Sequence, residues 1–232
     1  MIRFENVTKK YPNGHQALSN LNLEIPQGEM VFLTGHSGAG KSTLLKLIGL
    51  IERPTRGKVF VNNRNLNDIK PRVIPYYRQH LGMVFQDNKL LHDRSVFDNV
   101  ALPLVIKGLS DTDIKRRTEA ALDQVELLNK RRHTPIQLSL GEQQRVGIAR
   151  AIVGKPMLLI ADEPTGNLDP DLSWDILHLF KRFHEVGVTV LIATHDINLI
   201  ETMNMPTITL SHSKMRKNRF GSSISDEDLM RR

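Results

Sequence analysis

A glycine-rich octapeptide near the N-terminus constrains this sequence more than any other segment. It reads Gly35, His36, Ser37, Gly38, Ala39, Gly40, Lys41 and Ser42. An apolar run over residues 30–34 precedes it, and an apolar helical pattern over residues 41–51 follows it. The segment fits G-x-x-x-x-G-K-[ST] between a strand and a helix, where backbone N–H groups and the positive end of the helix face a phosphate. It therefore predicts a site for the phosphates of a nucleotide.

The last residues of this loop carry the side chains that the chemistry requires. Lys41 is expected to reach the β- and γ-phosphates, and the hydroxyl of Ser42 is expected to ligate Mg²⁺. A purely structural glycine-rich turn is the alternative, which the complete pattern in its strand–loop–helix context disfavours. We therefore expect residues 35–42, together with Thr43, to bind ATP with Mg²⁺ as the cofactor.

The rest of the chain alternates between strand and helix patterns. Strand patterns cover residues 2–7, 21–25, 157–161 and 188–193, and helical patterns cover residues 111–128, 142–153 and 171–185. Strands that alternate with helices predict an α/β fold with a mainly parallel sheet. The patterns within about residues 88–155 are mostly helical, which predicts a helical subdomain inserted into that sheet.

Composition limits the classes of protein that remain. The chain has 232 residues, a formal net charge of +7 and no cysteine. The lack of cysteine excludes disulfides and thiolate metal sites. No apolar run approaches the roughly 18–20 residues that are needed to cross a bilayer. We therefore expect a protein that is soluble, or that another protein holds at a membrane.

The C-terminal residues differ in character from the rest. Over residues 211–232, six lysines and arginines outnumber three acidic residues. A solvated, mobile tail is the simplest interpretation, and contact with an anionic membrane is the alternative. Nucleic acid is not an expected partner, because only Phe220 offers a ring for base stacking there. The sequence thus predicts one folded domain over residues 1–210 and a polar, basic tail.

Two carboxylates, Asp162 and Glu163, follow the apolar run at residues 157–161. A parallel strand delivers such groups to the carboxyl edge of a sheet, where ligands bind. Asp162 is expected to hold Mg²⁺, and Glu163 to act as the general base for the water that attacks the γ-phosphate. Two acids after a strand are often only a solvated strand end, but the phosphate loop favours the catalytic interpretation.

Further short motifs follow in order, and together they resemble the ABC ATPases. The signature is matched by Leu138, Ser139, Leu140, Gly141, Glu142 and Gln143, the D-loop by Asn167, Leu168 and Asp169, the Q-loop by Gln86, the switch histidine by His195, and the adenine-stacking aromatic residue by Tyr11. The resemblance spans about residues 2–210. It implies a RecA-like P-loop NTPase fold with an N-terminal antiparallel β region and an inserted helical subdomain.

The resemblance also implies catalytic roles. Gln86 would join Ser42 and Asp162 at Mg²⁺. His195 would contact the γ-phosphate and order the attacking water, and Tyr11 would stack on adenine. Lys41, Gln86, Glu163 and His195 are thus the expected catalytic residues of an ATPase.

The signature implies a second copy of the chain. In the family this segment faces the γ-phosphate of the opposite subunit, so one copy of each half-site per chain implies a head-to-tail homodimer. Ser139 and Glu142 fit the capping box S-x-x-E, which predicts the N-terminus of a helix there. Most members have two glycines in the signature, and this chain has Leu140 and Gly141. We expect the Leu140 side chain to hinder close approach of the two subunits.

Within the family, residues 162–169 resemble a branch that contains a cell-division ATPase and the lipoprotein and macrolide exporters. Residues 32–40, 135–139 and 193–200 favour the cell-division member. That resemblance implies an integral membrane partner at the cytoplasmic face of a bacterial inner membrane, at the division site, and a signal to peptidoglycan hydrolysis. An exporter ATPase is the main alternative. A soluble ATPase of DNA maintenance and a nucleotide-binding module without turnover are less favoured.

Overall fold

The computed structural model describes residues 1–166, residues 168–211 and the backbone of residues 214–218. The strands are β1 (Ile2–Lys10), β2 (Gln16–Ile25), β3 (Met30–Thr34), β4 (Arg56–Val61), β5 (Arg64–Asn65), β6 (Leu81–Val84), β7 (Leu158–Asp162), β8 (Thr189–Ala193), β9 (Thr207–Ser211) and β10 (Lys214–Asn218). The α-helices are α1 (Lys41–Ile48), α2 (Ile74–Arg78), α3 (Val96–Ile106), α4 (Asp111–Gln124), α5 (Leu140–Ile152), α6 (Pro170–Glu185) and α7 (Ile197–Met203).

The strands form two sheets of different kinds. An antiparallel sheet has the order β2-β1-β4-β5. The second sheet has the order β10-β9-β3-β8-β7-β6, in which neighbours from β9 to β6 run parallel and β10 is antiparallel to β9. This arrangement confirms the predicted mainly parallel sheet with an N-terminal antiparallel region.

The apolar run of β3 is continuous because both of its faces are covered. Met30 and Phe32 belong to one buried cluster, and Val31 and Leu33 belong to the other. Successive side chains of a strand point to opposite faces, so a central parallel strand needs apolar residues at every position. The two clusters hold β3 rigidly at the centre of the sheet, and the phosphate loop starts where this strand ends.

Helix boundaries follow local capping more than the apolar pattern. Helix α1 ends at Ile48, three residues earlier than predicted, because Gly49 caps it and Leu50 has a left-handed φ of 51°. The N-cap residues Ser95, Ser110 and Ser139 each accept a hydrogen bond from the first turn of α3, α4 and α5. Such caps satisfy N–H groups that a helix cannot pair by itself.

Part of the predicted C-terminal tail takes part in the second sheet. The backbone of Lys214–Asn218 forms β10, which extends the sheet beyond β9. Backbone hydrogen bonds build such a pairing whatever the polarity of the side chains, so composition did not signal it. Residues 212, 213 and 219–232 of the predicted tail lie outside the described residues. Within the part of the chain that is described, no helix is long and apolar enough to cross a membrane.

Candidate functional site

A cleft of about 580 Å³ lies at the carboxyl ends of β3, β7 and β8. Residues from four predicted motifs line it together: residues 36–43, Gln86, Glu163 and His195. They come from distant parts of the sequence, and the parallel strands bring them to one edge of the sheet. The cleft therefore has the position and the groups of a nucleotide site.

Two glycines of the phosphate loop are required by close backbone contacts. A Cβ atom on Gly35 would lie 2.4 Å from the carbonyl oxygen of Leu210, and one on Gly40 would lie 2.5 Å from that of Ala17. Both residues also have positive φ, 147° and 104°. Gly40 is the N-cap of α1 and provides no side-chain cap. The first-turn N–H groups of α1 are thus left to bind an anion.

The charged residues of the cleft contact one another in a row, from Lys41 through Glu163 to His195. Lys41 Nζ donates to the carbonyl oxygen of Gly35 (2.8 Å) and lies 3.6 Å from Oε1 of Glu163. The other oxygen of Glu163 lies 2.9 Å from Nδ1 of His195. The N–H of Glu163 donates to the carbonyl of Ala193 in β8, which fixes this residue at a positive φ of 48°. The structure thus brings three predicted catalytic residues into contact.

Asp162 has the surroundings of a cation ligand. Burial raises the pKa of its carboxyl group, a hydrogen bond from Ser42 lowers it, and the neighbouring Glu163 raises it. Its Oδ1 atom is buried and has no hydrogen-bond partner among the residues that the structure describes. An orphaned buried carboxylate oxygen beside a hydroxyl is a donor set that suits Mg²⁺, which prefers oxygen ligands and completes its shell with water and phosphates. Ser42 and Asp162, with Gln86 in the same cleft, fit the predicted metal site.

Tyr11 is held beside the cleft by its hydroxyl group. That group lies 3.2 Å from Oγ1 of Thr43 and donates to Glu52 (3.0 Å), and the ammonium of Lys9 lies over its ring. Tyr11 does not line the cleft, whereas His15 does, and the two rings are 6.3 Å apart and nearly parallel. Stacking of Tyr11 on adenine stays a prediction. Sequence reasoning missed His15, whose place in the turn after Tyr11 was the available signal.

The signature lies outside this cleft. Ser139 caps α5 by accepting the N–H of Glu142, and Glu142 accepts the N–H of Ser139 in return, so the predicted capping box forms. Leu140 is the first helical residue, and its side chain is 62% exposed. Gly141 packs against Leu172, which a Cβ atom would approach to 3.0 Å. None of these signature residues is among those that line the cleft.

The predicted D-loop leads into α6. Leu168 packs against the buried cluster around Phe32, and Asp169 caps α6 by accepting the N–H of Leu172. Asn167 lies outside the described residues. The D-loop and the signature helix therefore adjoin each other through Leu172.

Comparison with known proteins agrees with these observations. The chain matches the family model of the ABC transporter over residues 18–166. It is 60% identical over 211 residues to the cell division ATP-binding protein FtsE of Escherichia coli (strain K12). The aligned residues cover 91% of this chain and 95% of that protein. It is 47% identical over 210 residues to FtsE of Bacillus subtilis (strain 168), which covers 90% and 92%.

Solved structures of ATP-binding cassettes share this fold. A dimeric post-hydrolysis state of the cassette MJ0796 bound to ADP and Pi has a TM-score of 0.86 and 37% identity, and the match covers 94% of this chain and 97% of that one. A dimeric structure of MJ0796 as a bacterial ABC transporter cassette has a TM-score of 0.87 and 38% identity, with the same coverage. With its phosphate loop, acidic pair and capped signature helix in place, this chain belongs to the ABC transporter family and is an ATP-hydrolysing cassette.

Proposed function

We propose that this chain is the ATPase subunit of a bacterial cell-division complex, in which two copies close on two ATP molecules and act on an integral membrane partner of the FtsX type. The observation that carries the proposal is the close similarity to proteins named FtsE, which extends over nine tenths of both chains. In this proposal the protein is peripheral, at the cytoplasmic face of the inner membrane and at the division site. When the dimer closes on ATP, the movement is transmitted through the membrane partner and activates peptidoglycan hydrolysis.

The dimer is proposed because one chain holds two separate halves of a site. The phosphate loop, Glu163 and His195 share the cleft, and the signature helix α5 begins elsewhere. The exposed N-terminus of a helix attracts an anion, and that of α5 lies outside the cleft in which this chain's own phosphate loop would hold one. A second copy, turned head to tail, would place its signature against the γ-phosphate. The dimeric cassettes with the same fold support this arrangement.

The chemistry assigned to the cleft is hydrolysis of the γ-phosphate. Lys41 neutralises phosphate charge, and Glu163 orients the attacking water and accepts its proton. Nδ1 of His195 lies 2.9 Å from the carboxylate of Glu163, and we infer that His195 helps to order the same water. Ser42, Asp162 and Gln86 would hold Mg²⁺, which would supply positive charge to offset that of the phosphates.

The proposed contact with the membrane partner lies just after Gln86. Arg150 donates to the carbonyls of Asn88 and Lys89, so this segment is fixed to the signature helix α5. Fully buried Asn99 of α3 accepts the N–H of Leu91 and donates to its carbonyl, 2.8 and 3.0 Å away. A displacement of this segment would therefore also move α3 and α5. Such rigid connections suit a surface that couples ATP binding to a partner.

The apolar side chains of this segment have different roles. Leu91 is 41% exposed and remains a candidate for contact with the partner. Its place just after Gln86 in the sequence predicts the same contact for Leu90, but Leu90 is 7% exposed and belongs to the buried core, so that prediction is wrong. The hydrogen bonds of Asn99 anchor the backbone of Leu91 to α3 and leave its side chain unconstrained by that contact.

Reconstitution with a membrane partner tests the proposal. The FtsX-type protein and, separately, an exporter-type permease from the same genome would be placed in proteoliposomes, and binding and ATPase rate measured. We expect binding and stimulated ATPase with the FtsX-type protein, and loss of binding for Leu91→Asp. Val186→Asp is the matched control, because Val186 is 75% exposed at the end of α6. Binding to the exporter permease alone would contradict the cell-division function.

A further inference from the structure

An ion pair lies at the N-terminus of the signature helix α5, outside the cleft described above. Lys130 Nζ donates to Oε1 of Glu142, and the other oxygen of Glu142 accepts the N–H of Ser139 at 3.0 Å. Both side chains of the pair are partly buried. Backbone hydrogen bonds from Lys130 to Leu127 and from His133 to Lys130 hold the lysine in its turn. The geometry of the pair is therefore set by the fold.

The charge of Glu142 conflicts with the proposed task of this helix. A carboxylate in the first turn is favourable for an isolated helix, because it compensates the positive end of the dipole. The same carboxylate repels a phosphate that approaches that end, and exclusion of water strengthens the repulsion. The positive charge of Lys130, paired with this carboxylate, cancels most of the repulsion between Glu142 and the phosphate. The pKa of Glu142 is lowered, first by the hydrogen bond from Lys130, and Arg145 one turn later adds a smaller attraction.

We propose that Lys130 is a positioning residue that neutralises Glu142, so that the N-terminus of α5 can receive the γ-phosphate of an ATP bound by a second copy. The inference rests on the proposed head-to-tail dimer. Lys130 touches neither the cleft of its own chain nor its catalytic groups. Its ammonium pairs with one oxygen of the Glu142 carboxylate and opposes the charge there, while the other oxygen keeps the capping hydrogen bond to Ser139.

The proposal predicts that the need for Lys130 disappears when Glu142 has no charge. A glutamine at this position has nearly the same shape and retains an oxygen to cap Ser139. If the ion pair served only to stabilise the fold, Glu142→Gln would break it as well, so Glu142→Gln alone and the double change would be as harmful as Lys130→Ala. A double-mutant cycle separates the two roles.

The experiment measures the dissociation constant of the ATP-bound dimer in the Glu163→Gln background. Lys130→Ala is expected to raise it about tenfold, the size of an uncompensated charge at a partly buried site. Lys130→Arg and Glu142→Gln should stay near the parent, and Lys130→Ala with Glu142→Gln should return to it. ATP affinity of the dilute monomer should not change. Lys115→Ala removes the same charge from an exposed position of α4 and serves as the control.

Each outcome bears on one claim. If Lys130→Ala leaves the dissociation constant of the dimer unchanged, the proposed role of Lys130 is wrong. It is also wrong if Lys130→Ala weakens the dimer equally in the Glu142→Gln background. A parent that stays monomeric with ATP bound overturns the composite site, and this inference with it. A thermal melt of each variant checks that the fold is intact.

Discussion

His195 and Glu163 are joined across the cleft, with Nδ1 of the imidazole 2.9 Å from Oε2 of the carboxylate. The other oxygen of Glu163 faces the ammonium of Lys41 at 3.6 Å. The resemblance to ABC ATPases implied that His195 contacts the γ-phosphate, and the phosphate-loop pattern predicted the same of Lys41. Both groups flank the carboxylate of Glu163. The carboxylate is thereby oriented from two sides, at the mouth of the phosphate loop. Lys41 and His195, which contact this carboxylate, are also the groups that we expect to bind the γ-phosphate.

Replacing Glu163, the proposed base, is expected to reduce ATP hydrolysis while ATP binding is retained. Glu163→Gln keeps the size of the side chain but accepts no proton, so the rate should fall by about 10²–10⁴. ATP affinity should be retained. Lys41→Ala should instead weaken ATP binding, since Lys41 supplies the charge opposite the phosphates. Phosphate release and nucleotide titrations measure both effects, and hydrolysis by Glu163→Gln at the wild-type rate contradicts the assignment.

Asp162 is expected to destabilise the protein that is free of metal. Because burial raises its pKa, the folded state holds its proton more tightly than the unfolded state does. The stability from that proton is present below the ordinary pKa of an aspartate and is lost as pH rises through the raised value. Asp162→Asn should therefore increase the free energy of unfolding at pH 7, with a smaller gain near pH 4.

The same change should abolish the use of Mg²⁺. Since Asp162→Asn removes the charge of the proposed metal ligand, Mg²⁺-dependent ATPase should fall at least about 10²-fold. Urea unfolding at the two pH values, without nucleotide or metal, measures the stability effect. A variant that is less stable at pH 7 and still fully active contradicts the metal assignment.

Leu90 and Leu91 offer a matched pair for the partner surface. Leu90→Asp places a charge in the core, so it should lower the melting temperature sharply, by the equivalent of about 3 kcal/mol or more. Leu91→Asp should change stability by about 0.5 kcal/mol at most. It should leave the basal ATPase unchanged and release the protein from membranes. Thermal melts with cell fractionation make the comparison, and equal destabilisation by both changes would place Leu91 in the core.

Leu140 is the position where this chain departs from its family. Its side chain is exposed at the start of α5, where a second copy is proposed to close. Overpacking at such a contact costs about 1–3 kcal/mol. Leu140→Gly should tighten the ATP-bound dimer and raise basal ATPase without altering ATP affinity of the monomer. Leu140→Ala removes the isobutyl group without adding a helical glycine, so equal dimer constants for all three proteins contradict the steric account.

The two glycine positions of the signature are expected to respond differently. Gly141 is buried against Leu172, so a methyl group there displaces a side chain that also packs beside the D-loop. Gly141→Ala should change stability by less than about 1 kcal/mol, because the Leu172 methyl group that it meets ends a flexible side chain and alanine favours the helix more than glycine does. Urea unfolding gives the value, and a clearly larger loss would show that Leu172 cannot move aside.

The elements predicted best are those whose local pattern and tertiary role agree. The run 30–34 became β3 because residues apolar at every position suit a strand covered on both faces. The capping box of Ser139 and Glu142 formed as predicted because its hydrogen bonds are local.

Contacts between distant segments could not be predicted in the same way. The pairing of Lys130 with Glu142, the burial of Leu90 and the place of His15 at the cleft depend on how separate elements pack. The strand at Lys214–Asn218 depends on a backbone edge offered by β9. No local periodicity encodes such relationships.

In the proposed dimer, one complete ATP site needs two copies of this chain. Sedimentation velocity can detect this dimer, with Glu163→Gln and a Glu163→Gln variant that also carries Leu140→Asp each measured with and without ATP and Mg²⁺. We expect ATP to shift the single variant from the 26.4 kDa monomer to twice that mass. The double variant should bind ATP and stay monomeric, because its new carboxylate would face the phosphate of the other copy. A single variant that remains monomeric at high concentration with ATP bound, or a double variant that dimerises equally well, would rule out the composite site.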